Sequence, residues 1–325
     1  MIRLVCLLSR CRAACLTRTY GCVSPFANLS CGKGGFFLPM RRKIGLALGG
    51  GGARGFAHLG VLMALSENGI PVDYISGTSM GAVMGAVRAL EMDLDKLRVL
   101  LTCLDLNELL QVSESSMREL QKAIGRGLIE YVRGADLHSN EGSPQALSRI
   151  YELFSLLTAR KDFSDTKIPF AVVAADLETG ERVVLTEGKM YKAIAASAAI
   201  PGTFSPVTHQ GRYLIDGGVI DKVPASVTID MGAQAVIAVD TGSPLSRTVR
   251  TTLDALLQSQ TITSHALTAL QIREARRRLD GRFIVLRPEV GWISMLAFKH
   301  VEQAIEAGKR EAEKHIAHIR KICGL

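Results

Sequence analysis

Gly77-Thr78-Ser79-Met80-Gly81 has the spacing Gly-x-Ser-x-Gly. A short apolar run, Tyr74 to Ser76, precedes it, and an Ala/Gly/Val segment, Ala82 to Leu90, follows. The run reads as a strand and the segment as a helix. A serine on a sharp strand-to-helix turn stands above the sheet edge, at a helix N-terminus that favours developing negative charge. Gly77 and Gly81 let the backbone pass close to its neighbours where a Cβ would clash. The arrangement suits a serine nucleophile in acyl transfer. A serine in an ordinary tight turn is the alternative, and the pentapeptide alone does not separate the two.

Upstream, Arg42 to Leu48 reads as a basic lead into a buried strand. Gly49-Gly50-Gly51-Gly52-Ala53-Arg54-Gly55 follows, and a helical pattern starts at Phe56. Gly50 to Gly55 satisfies the G-x-G-x-x-G of dinucleotide loops, which calls for an acid ending the next strand about 20 residues on. Asp73 lies near that distance but precedes its strand, after Gly69-Ile70-Pro71, and so falls at the wrong end. Consecutive glycine amides beside a helix N-terminus also bind an anion. The tetrahedral oxyanion of acyl transfer is such an anion. Next to a serine elbow the oxyanion hole is the preferred reading, with a cofactor loop and a close-packed βα turn as alternatives.

A third constellation is Tyr213-Leu214-Ile215-Asp216-Gly217-Gly218, an apolar strand that ends in an acid before a glycine turn. Asp216 can point into a cleft, or it can simply form the turn. A Ser-His-Asp triad in the α/β-hydrolase chain order needs a histidine after the acid. His265, His300, His315 and His318 all lie in helical patterns among charged neighbours, and none follows a strand on a loop. They read as surface or helix-packing residues. His58 falls inside the helix after the glycine loop and reads as structural support.

Taken in order, Gly50-Gly51-Gly52-Ala53-Arg54-Gly55, Gly77-Thr78-Ser79-Met80-Gly81 and Asp216-Gly217-Gly218 resemble the three signatures of patatin-like phospholipases, serine acyl hydrolases with a Ser-Asp dyad. Pro169 to Gly180 resembles the family's central strand and turn, and so does the run from Ala195 to Phe204. The resemblance covers roughly Arg42 to Asp240 and weakens from Leu245 onward. It implies Ser79 as nucleophile, Asp216 as its base, and the amides around Gly51 and Gly52 as the oxyanion hole. Arg54 matches the family's basic loop position, and Gly218 stands where many members have alanine. The mechanism it implies uses no metal and no cofactor.

The net charge of +8 is uneven. Arg3, Arg10, Arg12, Arg18, Lys33, Arg41, Arg42 and Lys43 fall in the first 43 residues, which carry no acid. The rest of the chain is balanced, so the basic total does not argue for nucleic acid. Arg273 and Arg276 to Arg278 read as a solvated helix face. Five of the seven cysteines (Cys6, Cys11, Cys15, Cys22 and Cys31) also fall in this leader, which leaves no disulfide framework in the body. A reducing, cytoplasmic setting fits, with peripheral contact to a membrane left open. No apolar run reaches the 18 residues of a spanning helix. The leader's apolar stretch, Leu4 to Leu8, is short for a secretory signal. A start at Met40 is the simplest reading, beside a disordered or processed leader.

These elements must be positioned by an α/β fold, a three-layer sandwich with a mostly parallel central sheet and an inserted helical cap. The expected organisation is a leader over 1–40, a catalytic domain over 41–242 with the cap near 93–165, and a mainly helical extension over 243–325 packed on the same domain. Ile44 to Leu48, Phe170 to Ala175, Arg182 to Leu185, Tyr213 to Ile215 and Ala235 to Val239 read as strands, with a last strand near Phe283 to Leu286. The one tryptophan, in Gly291 to Phe298, reads as core, with lipid docking as the other option. The function expected is a lipid acyl hydrolase of the phospholipase A, lysophospholipase or esterase type, acting on a lipid or acyl ester. A thioesterase or acyltransferase with the same dyad, a non-catalytic lipid-binding regulator, and a nucleotide-binding oxidoreductase are the rivals. The oligomeric state is not legible. A chain beginning at Met40 should fold with a melting temperature within about 2 °C of the full chain, since unpacked tails contribute little. Differential scanning calorimetry of the two chains checks this, and a truncated chain that aggregates overturns it.

Overall fold

The computed structural model describes residues 41–103, 144–201, 204–242, 244–245 and 248–325. The leader over 1–40 and the central part of the expected cap, 104–143, lie outside the described residues. Uninterrupted apolar runs become strands that are covered on both faces. β1 (Ile44–Leu48), β2 (Tyr74–Thr78), β3 (Phe170–Asp176) and β7 (Ala235–Val239) are buried almost throughout. β4 (Arg182–Leu185), β5 (Val207–His209), β6 (Arg212–Asp216) and β8 (Phe283–Leu286) complete an eight-stranded sheet. Residues 44, 46 and 48 of β1 face one core, and Ala47 faces the other, as the period of two requires.

The strands β3, β2, β1, β7 and β8 pair in parallel in that order. β4 and β6 pair antiparallel with β3, and β5 extends β6. The register settles which edge each takes. Val172 and Val173 pair with both β2 and β4, so those two lie on opposite edges of β3. Ala174 and Ala175 pair with both β4 and β6, so those two are also opposite. β2 and β6 therefore share one edge. β2 ends at Thr78, opposite Val173, and β6 arrives from the other direction and ends at Asp216, opposite Ala174.

Helices cover both faces. α1 (Ala57–Glu67), α2 (Met80–Ala89), α5 (Met190–Ser197) and α8 (Val301–Cys323) belong to the larger core, and α6 (Ala225–Asp230) and α7 (Thr252–Arg278) to the smaller opposite one. α3 (Leu94–Cys103) and α4 (Pro144–Leu157) are the described parts of the segment between α2 and β3. Val223-Pro224 forms the loop that leads into the short α6. The pattern from Leu296 to Ile322 reads as a last helix, but that helix starts at Val301, after a turn of 3₁₀ helix over Phe298–His300. In the extension over 243–325, β8 stands where the sequence reads a last strand and adds an outer parallel strand to the sheet.

α8 lies backbone-to-backbone on α1. A Cβ on Gly60 would sit 1.8 Å from the Ile305 carbonyl oxygen, and one on Gly308 would sit 1.9 Å from that of Ala57. Alanine is the better helix former by about 1 kcal/mol, but a Cβ this deep in a backbone contact falls at the upper end of overpacking costs, about 3 kcal/mol. Gly60→Ala should therefore destabilise the protein, by about 2 kcal/mol net, in urea unfolding at constant slope. A neutral result would mean that the two helices are not in backbone contact.

Candidate active site

β2 ends and α2 begins at one residue, Ser79. Its backbone sits at φ 54, ψ −125, a left-handed conformation that is strained for a side chain with a Cβ. The turn is tight because its neighbours are glycines. A Cβ on Gly77 would meet the Gly81 carbonyl at 2.5 Å, and one on Gly81 would meet the Leu48 carbonyl at 2.1 Å. Ser79 is buried and caps α2, so the positive end of that helix points at it.

Asp216 closes β6 at the same place. Its carboxylate accepts the Gly218 amide at 2.7 Å, and the Ser79 hydroxyl is among the groups that hold its pKa down. Gly217 makes the approach feasible, since a Cβ there would fall 2.2 Å from the Val173 carbonyl. Burial pushes the Asp216 carboxyl up to about 6, against the bonds from Gly218 and Ser79 and the charge of Lys222, which hold it down. A free carboxylate near 3.8 is a poor base for a hydroxyl, and desolvation makes this one stronger.

The glycine loop is pinned from several sides. Gly49 donates to Val239 O at 2.9 Å and Gly50 to Lys222 O at 3.0 Å, while Ala53 donates to Met295 O at 2.7 Å. Between these anchors, the Gly51 and Gly52 amides have no acceptor among the described residues. Gly50 lies against Ser79, its absent Cβ only 3.3 Å from the Ser79 Cβ. Gly52 needs to be glycine, with φ +57 and Met295 O 2.3 Å from where a Cβ would be. Gly55 gives way to Met80 in the same manner, at 2.4 Å. Arg54 is buried at the loop, and desolvation pushes its pKa down. The loop can thus offer two fixed amides, and the α2 N-terminus one positive pole, to an anion beside Ser79.

The histidines stay away from this chemistry. His58 is fully buried, bonds Gly49 O through Nε2 at 2.6 Å, and is pushed down to about 4 by burial, so it is neutral and supports the loop. His300 stacks edge-on to Trp292, and His315 bonds the Glu311 carbonyl. None of the described histidines bonds Ser79 or Asp216. Asp73, the misplaced acid of a dinucleotide site, sits at the other end of the sheet, bound to Arg41, Lys43 and the Ile44 amide. Among the described residues no three histidine, cysteine or carboxylate groups converge as a metal site would need.

An apolar pocket opens onto Ser79 and Gly52. Val83 and Met84 of α2, Leu101 of α3, Phe154 and Leu157 of α4, and Phe204 line it, together with Leu296 and Phe298 from near the C-terminus. The sequence marked Gly291 to Phe298 as core or lipid-docking but did not place Leu296 and Phe298 at the site, nor Met295 as an anchor of the loop. No local signal marks these roles, because they exist only through contacts across about 240 residues of chain. Lys222 was also missed. It is half-buried, and burial lowers its pKa, with Asp240 and Asp216 acting the other way and Arg54 adding to the lowering. Trp292, expected in the core, is 61% exposed, while its neighbours Val290 and Ile293 are buried.

The model of the family described as patatin-like phospholipase matches residues 46–229. Patatin-like phospholipase domain-containing protein 7 of Rattus norvegicus is 33% identical over 203 residues, covering 62% of this chain and 14% of that protein. Lysophospholipase NTE1 of Mycosarcoma maydis is 32% identical over 200 residues, covering 62% of this chain and 10% of that protein. An uncharacterized NTE family protein of Mycobacterium bovis is 30% identical over 296 residues, covering 83% of this chain and 46% of that protein. The chain thus spans less than half the length of these curated relatives. Among solved structures, human GIVD cytosolic phospholipase A2, in complex with methyl gamma-linolenyl fluorophosphonate, overlays with a TM-score of 0.44 at 15% identity, covering 87% of this chain and 59% of that one. The matched segment runs from β1 into α6 and contains the glycine loop, the serine elbow and Asp216, and the chain belongs to the patatin-like phospholipase family.

Proposed function

We propose that this protein is a lipid acyl hydrolase working through a Ser79 acyl-enzyme, with Asp216 as the base. One observation carries the reading: a strained, buried serine and a buried carboxylate at two strand ends that meet on one edge of β3, at the mouth of an apolar pocket. The acyl chain lies in the pocket and brings its ester carbonyl to Ser79. Asp216 takes the hydroxyl proton as Oγ attacks the carbonyl carbon. The Gly51 and Gly52 amides receive the oxyanion, each donor worth about 3 kcal/mol in a dry site. Asp216 then returns the proton to the leaving alcohol. A water molecule, deprotonated by the same carboxylate, releases the acid and restores Ser79. The elements that line the pocket also expose Val99, Leu100, Leu156 and Trp292. That supports peripheral contact with a lipid surface, and no helix among the described residues is long and apolar enough to cross a membrane. The name of the Mycosarcoma maydis relative favours a lysophospholipid among the esters.

A fluorophosphonate should label Ser79 alone, read by peptide mass spectrometry, and Ser79→Ala should abolish labelling and hydrolysis across a panel of phospholipids, lysophospholipids and thioesters. Full turnover by the alanine variant would end the reading. Thioester preference would move the assignment to a thioesterase, and binding without turnover by the wild type would move it to a regulator.

Asp216→Asn separates the base from the fold. Activity should fall by about 10³ or more, on the scale of substitutions in related catalytic units. The wild-type kcat/KM should fall on the acid side as Asp216 protonates near pH 6. Stability should move the other way. A carboxyl raised from 3.8 to about 6 on folding favours the folded state at low pH, and that advantage is lost as pH rises through this window. The neutral asparagine avoids the buried charge, so the variant should melt higher than the wild type above pH 6 and show little gain below pH 4. Melting curves at pH 4 and pH 8 check the sign.

A further inference from the structure

Ser197 ends α5 inside the Ala195 to Phe204 run, and no step above uses it. It is fully buried and does not line the pocket, although Ala198 and Ile200 do. Its hydroxyl lies between two main-chain groups. The Ser79 amide donates to Oγ at 2.8 Å, and Oγ donates to the Val173 carbonyl at 2.5 Å. These are the groups that the β2–β3 ladder leaves open. Ile75 donates to Pro169 O at 3.0 Å, and rungs of a parallel pair recur every second residue. The next donors are therefore Gly77, toward Ala171, and Ser79, toward Val173. The last of these rungs is replaced, because Ser79 turns out of the strand. A hydroxyl both accepts and donates, so Ser197 completes the rung with one atom inserted.

The same segment holds the other half of the dyad. Two residues on, the Ala199 carbonyl accepts the Asp216 amide at 2.9 Å. Residues 197 to 199 thus grip Ser79 through a side chain and Asp216 through the main chain. We propose that Ser197 is a positioning residue whose hydroxyl sets the reach between Ser79 and Asp216. This rests on the reading of those two residues as the catalytic dyad. Without the hydroxyl, two buried backbone groups lose their partner. Closing the rung directly draws Ser79 back toward β3 and changes its reach to Asp216. Misplacement on the ångström scale costs rate rather than binding, because the pocket walls are untouched.

Ser197→Ala should fold, lower kcat about 10- to 100-fold and leave KM within about 2-fold, as a loss confined to the transition state does. The rate of fluorophosphonate labelling at Ser79 should fall with kcat. The acid limb of kcat/KM should move to higher pH, because the Ser79 hydrogen bond is one of the influences holding the Asp216 carboxyl down. A purely structural role would not move that limb. Ser197→Thr, which keeps the hydroxyl, should recover most of the rate and return the limb. Hydrogen exchange gives a reading that needs no variant: the Ser79 amide of the wild type should be strongly protected, and rapid exchange there overturns the proposal. A folded Ser197→Ala protein with wild-type kcat and an unmoved limb overturns it while leaving the dyad intact. A wild type that neither labels at Ser79 nor hydrolyses any ester sinks the dyad reading, and this proposal with it.

Discussion

Two strand ends meeting on one edge of β3 are the constraint on which the site depends. β2 runs up that edge and stops opposite Val173, and β6 runs down it and stops opposite Ala174. Consecutive rungs of one strand thereby bring together residues 137 positions apart, Ser79 and Asp216. The geometry leaves almost no room, and this explains the glycines better than flexibility does. Gly77, Gly81 and Gly217 each stand where a Cβ would strike backbone within 2.5 Å. A sheet is a stiff ruler, and the proposed dyad mounted on it inherits that stiffness.

Burial then tunes what the register has placed. Asp216 is 8% exposed and Ser79 5%, so the carboxylate is short of water, and its pKa rises. The same desolvation lowers the pKa of Lys222 and Arg54 near the loop. The effect that suits Asp216 to its proposed role as base also makes its charged form costly to bury, so part of the fold's stability is given up to the site. The strained Ser79 backbone adds to that cost, with its neighbours holding it in place.

The C-terminal region takes part in both the fold and the site. β8 extends the parallel sheet, and α8 packs on α1 through Gly60 and Gly308. The loop between β8 and α8 returns to the centre, where the Met295 carbonyl anchors the glycine loop and Leu296 and Phe298 wall the pocket. The loop that presents the Gly51 and Gly52 amides is therefore held from three sides, by β7, by Lys222 and by Met295. A change in any of these can displace the amides without touching Ser79.

The sequence by itself determined the elements whose signal is local. Alternating apolar strands and helices give the α/β sandwich, because both faces of a parallel sheet must be covered. The three glycine-bearing motifs mark Ser79, Asp216 and the Gly51–Gly52 loop, because a tight turn or a close approach admits few other residues. The histidines could be set aside on their helical surroundings. What only the tertiary structure decided depends on contacts between distant segments. The shared edge of β3, the short α6, the pairing of β8 with β7, the Met295 anchor and the exposure of Trp292 have no signature in a window of neighbouring residues. The raised pKa of Asp216 and the Ser197 bridge belong here too. A pKa is set by everything packed around a group, and a bridging hydroxyl is recognised only when the two backbone groups it joins are both in view.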